Sequence, residues 1–552
     1  MRTEAFKSII LGILLFLTPR LYSQPNEEMR SLIHHYGTRG WYNVQYNINL
    51  DSAEYYLLKA IELQYAYYDT IDDRVATNHV SLASVYRQFY NNSAALDHLN
   101  KAEKILIEYE PNSLYLGNTY HNKGNIYRSN NDLFRTKEYY EYSLDFLEKH
   151  GYQNTTNYAH VFSSYIKLLI ELEYYDQAEE QLSLIDFQSL NLNSTTEFRF
   201  HIIKASTYSQ IEKYDLAVFH FEEAKKILDR ESENSSNRDI VTYYYHIIDF
   251  NILYGDYSSA LDHSSNAFEF IESLDPSSTK NKTIYQSNII YRTAEIQYRI
   301  GIFDRALDLV IRGIDRLNLF FKDLSFTSSK ITVRNEYSSI LPELYILKSK
   351  VLFSMYQSTN SLDNLISSFG SYQKAIEIIN SLKLSMQNED SKYFATSKIF
   401  EVYNEAIYVG RLLYTITNEL QYLEQAFEFA ESSKSFALYS EIKNVEAMEF
   451  SGLPPDVKEN EERLIGKIQG YEEMLYDEQI TSNPDSNQIS HYKEQLFHLK
   501  DDYDDLMKEI ELDYSKYYEF KYNPKFVSLK DVQNELPYRD ALIEYVLTDT
   551  ML

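Results

Sequence analysis

Cysteine is absent from all 552 residues. That removes disulfides, thiolate metal sites and a cysteine nucleophile together. His34 and His35 are adjacent, so they point to different sides of a helix and make no chelating pair. The acidic run Asp501, Asp502, Asp504 and Asp505 could attract Ca²⁺. It lacks the glycine and closing glutamate of a calcium loop, sits in helical sequence, and so reads as a solvated face. No serine-centred nucleophile elbow, phosphate-cradling glycine loop or HExxH pair is present. No catalytic residue, cofactor or metal is therefore expected in this chain. What remains is recognition chemistry. With 53 basic against 82 acidic residues the net charge is −29, which argues against nucleic acid as the main partner. In such a chain arginines on a recognition face could hold a carboxylate or an acidic peptide. The alternative is that they are solvated helix residues pairing with nearby Asp and Glu.

Such residues need an element to hold them in a row. Hydrophobic residues make up 44% of the chain, enough for a large core, while Gly (14) and Pro (10) are scarce, so few residues break helices. Tyr occurs 53 times against one Trp; its apolar ring and polar tip suit half-buried faces of packed helices. Over 201–228, HIIKASTYSQIEKYDLAVFHFEEAKKIL places Ala205 and Tyr208 on a first helix and Tyr214-Asp215 at a turn. Ala217, Phe221 and Ala224 then share one face of a second helix. The small residues let the two helices approach, and Tyr208 and Phe221 fill the space between. The pattern recurs as Leu82, Ala83 and Tyr86 before Ala95, Leu99 and Ala102, and as Gly124 and Tyr127 before Thr136, Tyr140 and Ser143. Further copies are centred on Ala53, Ala178, Ala260 and Ala306. The second-helix positions 53, 95, 136, 178, 217, 260 and 306 are separated by 42, 41, 42, 39, 43 and 46 residues. SYQKAIEII and YLEQAFEFAESSK continue the series as degenerate second helices.

Over residues 45–445 this pattern resembles the tetratricopeptide repeat, with small–x–x–Tyr on helix A and Ala–x–x–x–Phe–x–x–Ala on helix B. The period is longer than the usual ~34 residues, and the consensus Trp and Pro positions are mostly missing. The resemblance implies an all-α fold, an α-solenoid of helix hairpins, whose concave groove binds an extended peptide or a partner helix. In that family, first-helix residues between the packing positions line the groove. Carried over by register, these are Arg87, Gln88, His121, Asn125, Arg128, Arg199, Tyr291 and Arg299.

The flanks read differently. Arg2 and Lys7 precede the uncharged apolar run Ser8–Leu17, with Pro19 and the small residue Ser23 after it. That is the layout of a secretory signal peptide over 1–23, cleaved to leave Gln24 first. The apolar run is too short to span a bilayer, so an exported protein, periplasmic or extracellular, with no membrane span is expected. Gly452-Leu453-Pro454-Pro455 marks a boundary after an array spanning 24–450. Threes and fours at Leu464, Ile468, Tyr471 and Leu475, and again from Tyr492 to Ile510, predict an antiparallel coiled-coil hairpin over 458–515. In 522–552, DVQNEL reads as a short helix and Ala541–Leu547 as a buried strand.

This order resembles the CHAT proteins, caspase-like domains attached to tetratricopeptide repeats. The stretch Glu431, Ser433, Lys434, Ala437 and Leu438 matches their helix before the hairpin, and Ala541–Tyr545 matches the first strand of the CHAT domain. The resemblance implies that the chain stops at the start of that incomplete α/β domain. The domain needs roughly 200 more residues, so no catalytic residue carries over. The expectation is an exported repeat scaffold mediating protein–protein interaction, the N-terminal part of a CHAT-type protein. The alternative is the exported sensor region of a signalling protein whose membrane span and DNA-binding or kinase output lie elsewhere.

Overall fold

The structure is a computed structural model that describes residues 27–45, 50–67, 73–88, 91–184, 193–231, 236–274, 279–327, 340–383, 389–433, 452–481, 483–514, 529–537 and 540–541. The signal peptide expected over 1–23, Lys434, Ala437 and Leu438, and the strand expected at 541–547 beyond its first residue, lie outside these. The described residues contain helices and turns and no strand. No helix among them is long and apolar enough to cross a membrane. The chain divides into two compact units, 1–119 and 120–552.

In the first unit, α1 (Glu27–Gln45) pairs with α2 (Leu50–Tyr67), and α3 (Asp73–Gln88) with α4 (Asn92–Tyr109). Gly40 lets α1 close on α2: a Cβ there would meet the Leu57 side chain at 2.6 Å. Arg87 and Gln88 end α3, both half-buried.

The dividing point lies within α5 (Leu114–Ser129). Helix hairpins continue as α6 (Leu133–Lys149), α7 (Thr156–Glu171), α8 (Tyr175–Leu184), α9 (Ser194–Gln210), α10 (Tyr214–Arg230), α11 (Asn237–Tyr254) and α12 (Tyr257–Ser273). They go on as α13 (Thr279–Arg299), α14 (Phe303–Thr327), α15 (Leu341–Thr359), α16 (Leu362–Lys383), α17 (Glu389–Thr417) and α18 (Leu420–Ser433). The expected packing positions sit where the spacing puts them. Ala53, Ala95, Thr136, Ala178, Ala217, Ala260 and Ala306 all lie in second helices and are all fully buried. Around Ala217 and Ala224 the core collects Phe198, Ile202, Phe221, Tyr243, Ile247 and Phe250, with Tyr208 against it.

From α5 to α17 each first helix ends in one left-handed residue: Asn131, Glu173, Glu212, Gly255, Gly301, Asn360 and Asn418. That residue reverses the chain, and a polar side chain then caps several of the second helices. Asp132 and Asp256 accept from the backbone N–H groups of Arg135 and Ser259. Successive first helices pack on one another, α7 on α9, α9 on α11, α11 on α13 and α13 on α15, while successive second helices do not pack closely. The first helices therefore form the inner side of the curve.

After this array come α19 (Pro455–Gln479) and α20 (Ser486–Asp513), an antiparallel pair with Tyr471 against Tyr492 and Leu464 buried. All of DVQNEL but Leu536 falls in α21 (Leu529–Glu535). The expectation of a solvated acidic face on α20 is corrected. Asp502 is exposed, but Asp501 and Asp504 turn inward against α5 and α6. Lys123, itself buried, bonds Asp501 at 3.0 Å. Arg135, also buried, bonds Asp504 at 3.0 Å, and Tyr127 donates to the same carboxylate at 3.0 Å. Tyr139 donates to Asp501. One turn earlier Phe497 stacks on Tyr142 with ring centroids 3.8 Å apart. The heptad spacing tracks only the hairpin's own seam; the second face, carrying 497, 501 and 504, has a period the charges disguise. Beside it, Ser391 of α17 donates to Asp132 at 2.6 Å and accepts from Phe134 N–H at 2.9 Å, so α6 takes contacts from both α17 and α20.

Candidate groove on the first helices

The inner face is defined by bonds that step from one first helix to the next, 39 to 43 residues along. His121 of α5 meets Ser164 of α7 at 3.0 Å, and Arg128 of α5 bonds Glu171 of α7 at 2.8 Å. Arg199 of α9 lies 3.5 Å from His160 of α7 and 3.4 Å from Asp239 of α11. Ser206 of α9 meets His246 of α11 at 2.8 Å, and Arg292 of α13 bonds Asp249 of α11 at 2.7 Å. On α7 the partners fall at 160, 164 and 171. That spacing makes one helical stripe, and Lys167 completes it.

Against this stripe the expected groove residues can be placed. His121, Asn125 and Arg128 share the inner edge of α5, where Asn125 also accepts from Tyr140 at 2.8 Å. Arg199 joins the ladder on α9. Tyr291 and Arg299 stand on α13 in a recess of about 410 Å³ bounded also by Glu295, Glu343, Lys350 and Glu405. Arg87 and Gln88 belong to the first unit, on the corresponding end of α3. Three of the four arginines carry acidic partners of their own chain: Glu171 for Arg128, Asp239 for Arg199, and Glu295 for Arg299 at 2.8 Å. The pairing alternative thus describes these three, and they are positioning groups of the face as much as free cations.

Several residues of the stripe were not singled out from the sequence: Lys167, Arg238, His160, His246, Glu343 and Glu405. Their signal was present, since 160, 164, 167 and 171 repeat the stripe found at 121, 125 and 128. The groove is electrically uneven. Burial, then Lys167 and Arg292, bring the His246 imidazole down to about 3, and burial with Arg199 lowers His160. Both histidines are therefore neutral, and the cations around them are arginine and lysine. In the recess, burial pushes the Glu343 carboxyl up to about 7 and raises Glu405, the latter against the pull of Lys350. Tyr372 of α16 donates to Glu405 at 3.0 Å. His34 and His35 are both exposed.

No family model matches the chain, and no curated protein matches it. Among solved structures it is similar to BtubC from P. vanneervenii, with 19% identity over 38% of this chain and 89% of that one, TM-score 0.31. It is similar to a Rap protein complexed with Competence and Sporulation Factor, with 14% identity over 70% and 100% of the two chains, TM-score 0.42. A third is a signal transduction ATPase with a tetratricopeptide repeat sensor from Pyrococcus horikoshii, with 10% identity over 76% and 64%, TM-score 0.37. The solved structures it is similar to are helical-repeat proteins of the tetratricopeptide type. At these identities and scores no residue role transfers from them.

Proposed function

We propose that this chain is a non-catalytic, exported helical-repeat scaffold that binds an extended peptide along the inner face of its first helices. The observation that carries the reading is the ladder from His121 to Arg292. It lines up half-buried polar side chains from five successive first helices on one face. An extended peptide exposes backbone N–H and C=O groups at regular intervals, and such a row answers them. The basic region, apolar run and Ser23 support export. The −29 charge speaks against nucleic acid as partner. Placement as the N-terminal part of a CHAT-type protein rests on the motif order from Glu431 to Tyr545 and remains part of this proposal.

A random-peptide selection against the full chain tests the binding reading. Enriched peptides should lose binding when Ser164→Trp fills the inner face of α7. They should keep it when Val218→Trp adds the same bulk to the exposed outer face of α10. No enrichment, or equal loss in both variants, contradicts it.

A further inference from the structure

The inner face is not uniform in charge, and the imbalance falls at two places. Across α5 to α11 it presents Arg128, Lys167, Arg199 and Arg238, against Glu171, Asp239 and Asp249. Those acids are already engaged, by Arg128, Arg199 and Arg292 of α13. Lys167 and Arg238 are exposed and make no ion pair with a described residue, and Lys167 lies in the field of all three arginines. On the first helices that follow, the recess between α13, α15 and α17 presents Glu295, Glu343 and Glu405 against Arg299 and Lys350. Arg299 is engaged by Glu295 at 2.8 Å, and Lys350 reaches Glu405 at 3.5 Å. Glu343 is left facing the recess with no cation of its own among the described residues.

Resting on the peptide-groove reading, we infer that the groove is dipolar. It takes an extended peptide whose carboxylate end sits on Lys167 and Arg238 and whose cationic end enters the recess at Glu343. Charge complementarity fixes the direction, because the reverse orientation sets carboxylate against Glu343 and ammonium against Lys167. The span fixes the length. Lys167 on α7 and Glu343 on α15 are four first-helix steps of about 8–10 Å apart, about 32–40 Å, which about ten to twelve extended residues cover. The perturbed groups fit such a ligand. Enclosure by the concave wall, then Arg128 and Arg238, lower Lys167 to about 8 although its side chain stays open to solvent, and a bound carboxylate would hold it charged. Glu343, pushed up to about 7 by burial, would be held ionised by a bound ammonium, its proton released to water.

The test uses the full chain and pools of random-core peptides about eleven residues long. There are three formats: free amine with free carboxylate, acetylated with free carboxylate, and free amine with amide. Bound peptide is separated by gel filtration and counted by mass spectrometry. The doubly free format should be retained about tenfold over either capped one. Lys167→Glu should erase the advantage of a free carboxylate and keep that of a free amine; Glu343→Gln should do the opposite. Lys167→Gln, which removes the charge without reversing it, repeats the first result if Lys167→Glu folds poorly. Equal retention of all formats, or an unchanged preference in both Lys167 variants, overturns the dipolar groove and leaves peptide binding standing. Retention of no format overturns both.

Discussion

At the scale of single residues, tolerance follows what a side chain would touch. A Cβ on Gly124 would meet Tyr140 at 2.7 Å and Tyr139 at 3.1 Å, both rings fully buried. Gly466 has open space around it on α19. Gly124→Ala should therefore destabilise by about 1–3 kcal/mol through overpacking. Gly466→Ala should stabilise by about 0.5–1 kcal/mol through helix propensity. Thermal melts of the two variants check the contrast of sign.

A second residue-scale prediction concerns His79 and His98, whose Nδ1 atoms lie 2.8 Å apart with Tyr86 stacked on His98. One proton serves both nitrogens. His79 Nε2 is buried without a partner, so His79 donates through Nδ1 and His98 accepts. Burial, then His98 and Lys101, hold His79 down to about 3, with Asp97 opposing; His98 is lowered too. A depressed histidine lends stability above its unfolded value of about 6.5, and that stability is lost as pH falls toward the folded value. From pH 7.5 to 5, α3 and α4 should lose about 2 kcal/mol through His79 alone. Hydrogen exchange of those helices reads the loss, and His79→Leu should abolish it. His201 and His220, 3.0 Å apart with Tyr208 stacked on His220, repeat the arrangement in the second unit.

At the scale of elements, the interlock of α20 with α5 and α6 depends on Arg135. It is buried between the Asp504 and Asp501 carboxylates, with Glu138 at 2.7 Å. Arg135→Met leaves those carboxylates uncompensated and should cost about 3–5 kcal/mol. Hydrogen exchange should rise in α20 and on α6 while α9 to α13 stay protected; unchanged protection of α20 would show that the ion network does not hold it. This contact also shows the limit of the sequence. Local periodicity revealed the second helices down to the buried alanines, because a residue on a tight helix crossing leaves a regular mark. The docking of α20 joins Asp501 to Lys123 across the chain, and no local spacing encodes such a pairing. The left-handed residues ending the first helices were readable at Gly255 and Gly301. They were hidden at Glu173 and Glu212, where the fold imposes a conformation the side chain does not favour. The candidate groove residues came from repeat register, which passed over Lys167 and Glu343, whose meaning lies in which neighbours are already paired.

At the scale of the whole molecule, a strongly acidic chain keeps a row of compensated and uncompensated cations along the inner face of its second unit. Ligand binding there draws on exposed charge, so affinity should fall as salt rises and the Debye length shrinks from about 10 Å at 0.1 M to about 3 Å at 1 M. A salt titration of any selected peptide checks this, and salt-independent binding would point to an apolar site instead. The most direct test of the central claim is hydrogen exchange of the full chain with and without a peptide selected against it. The predicted result is new protection confined to the first helices α7, α9, α11, α13 and α15, on the stripe running through Ser164, Lys167, Ser206 and His246. Protection appearing on the second helices α8, α10 and α12, or only in α19 and α20, would contradict it.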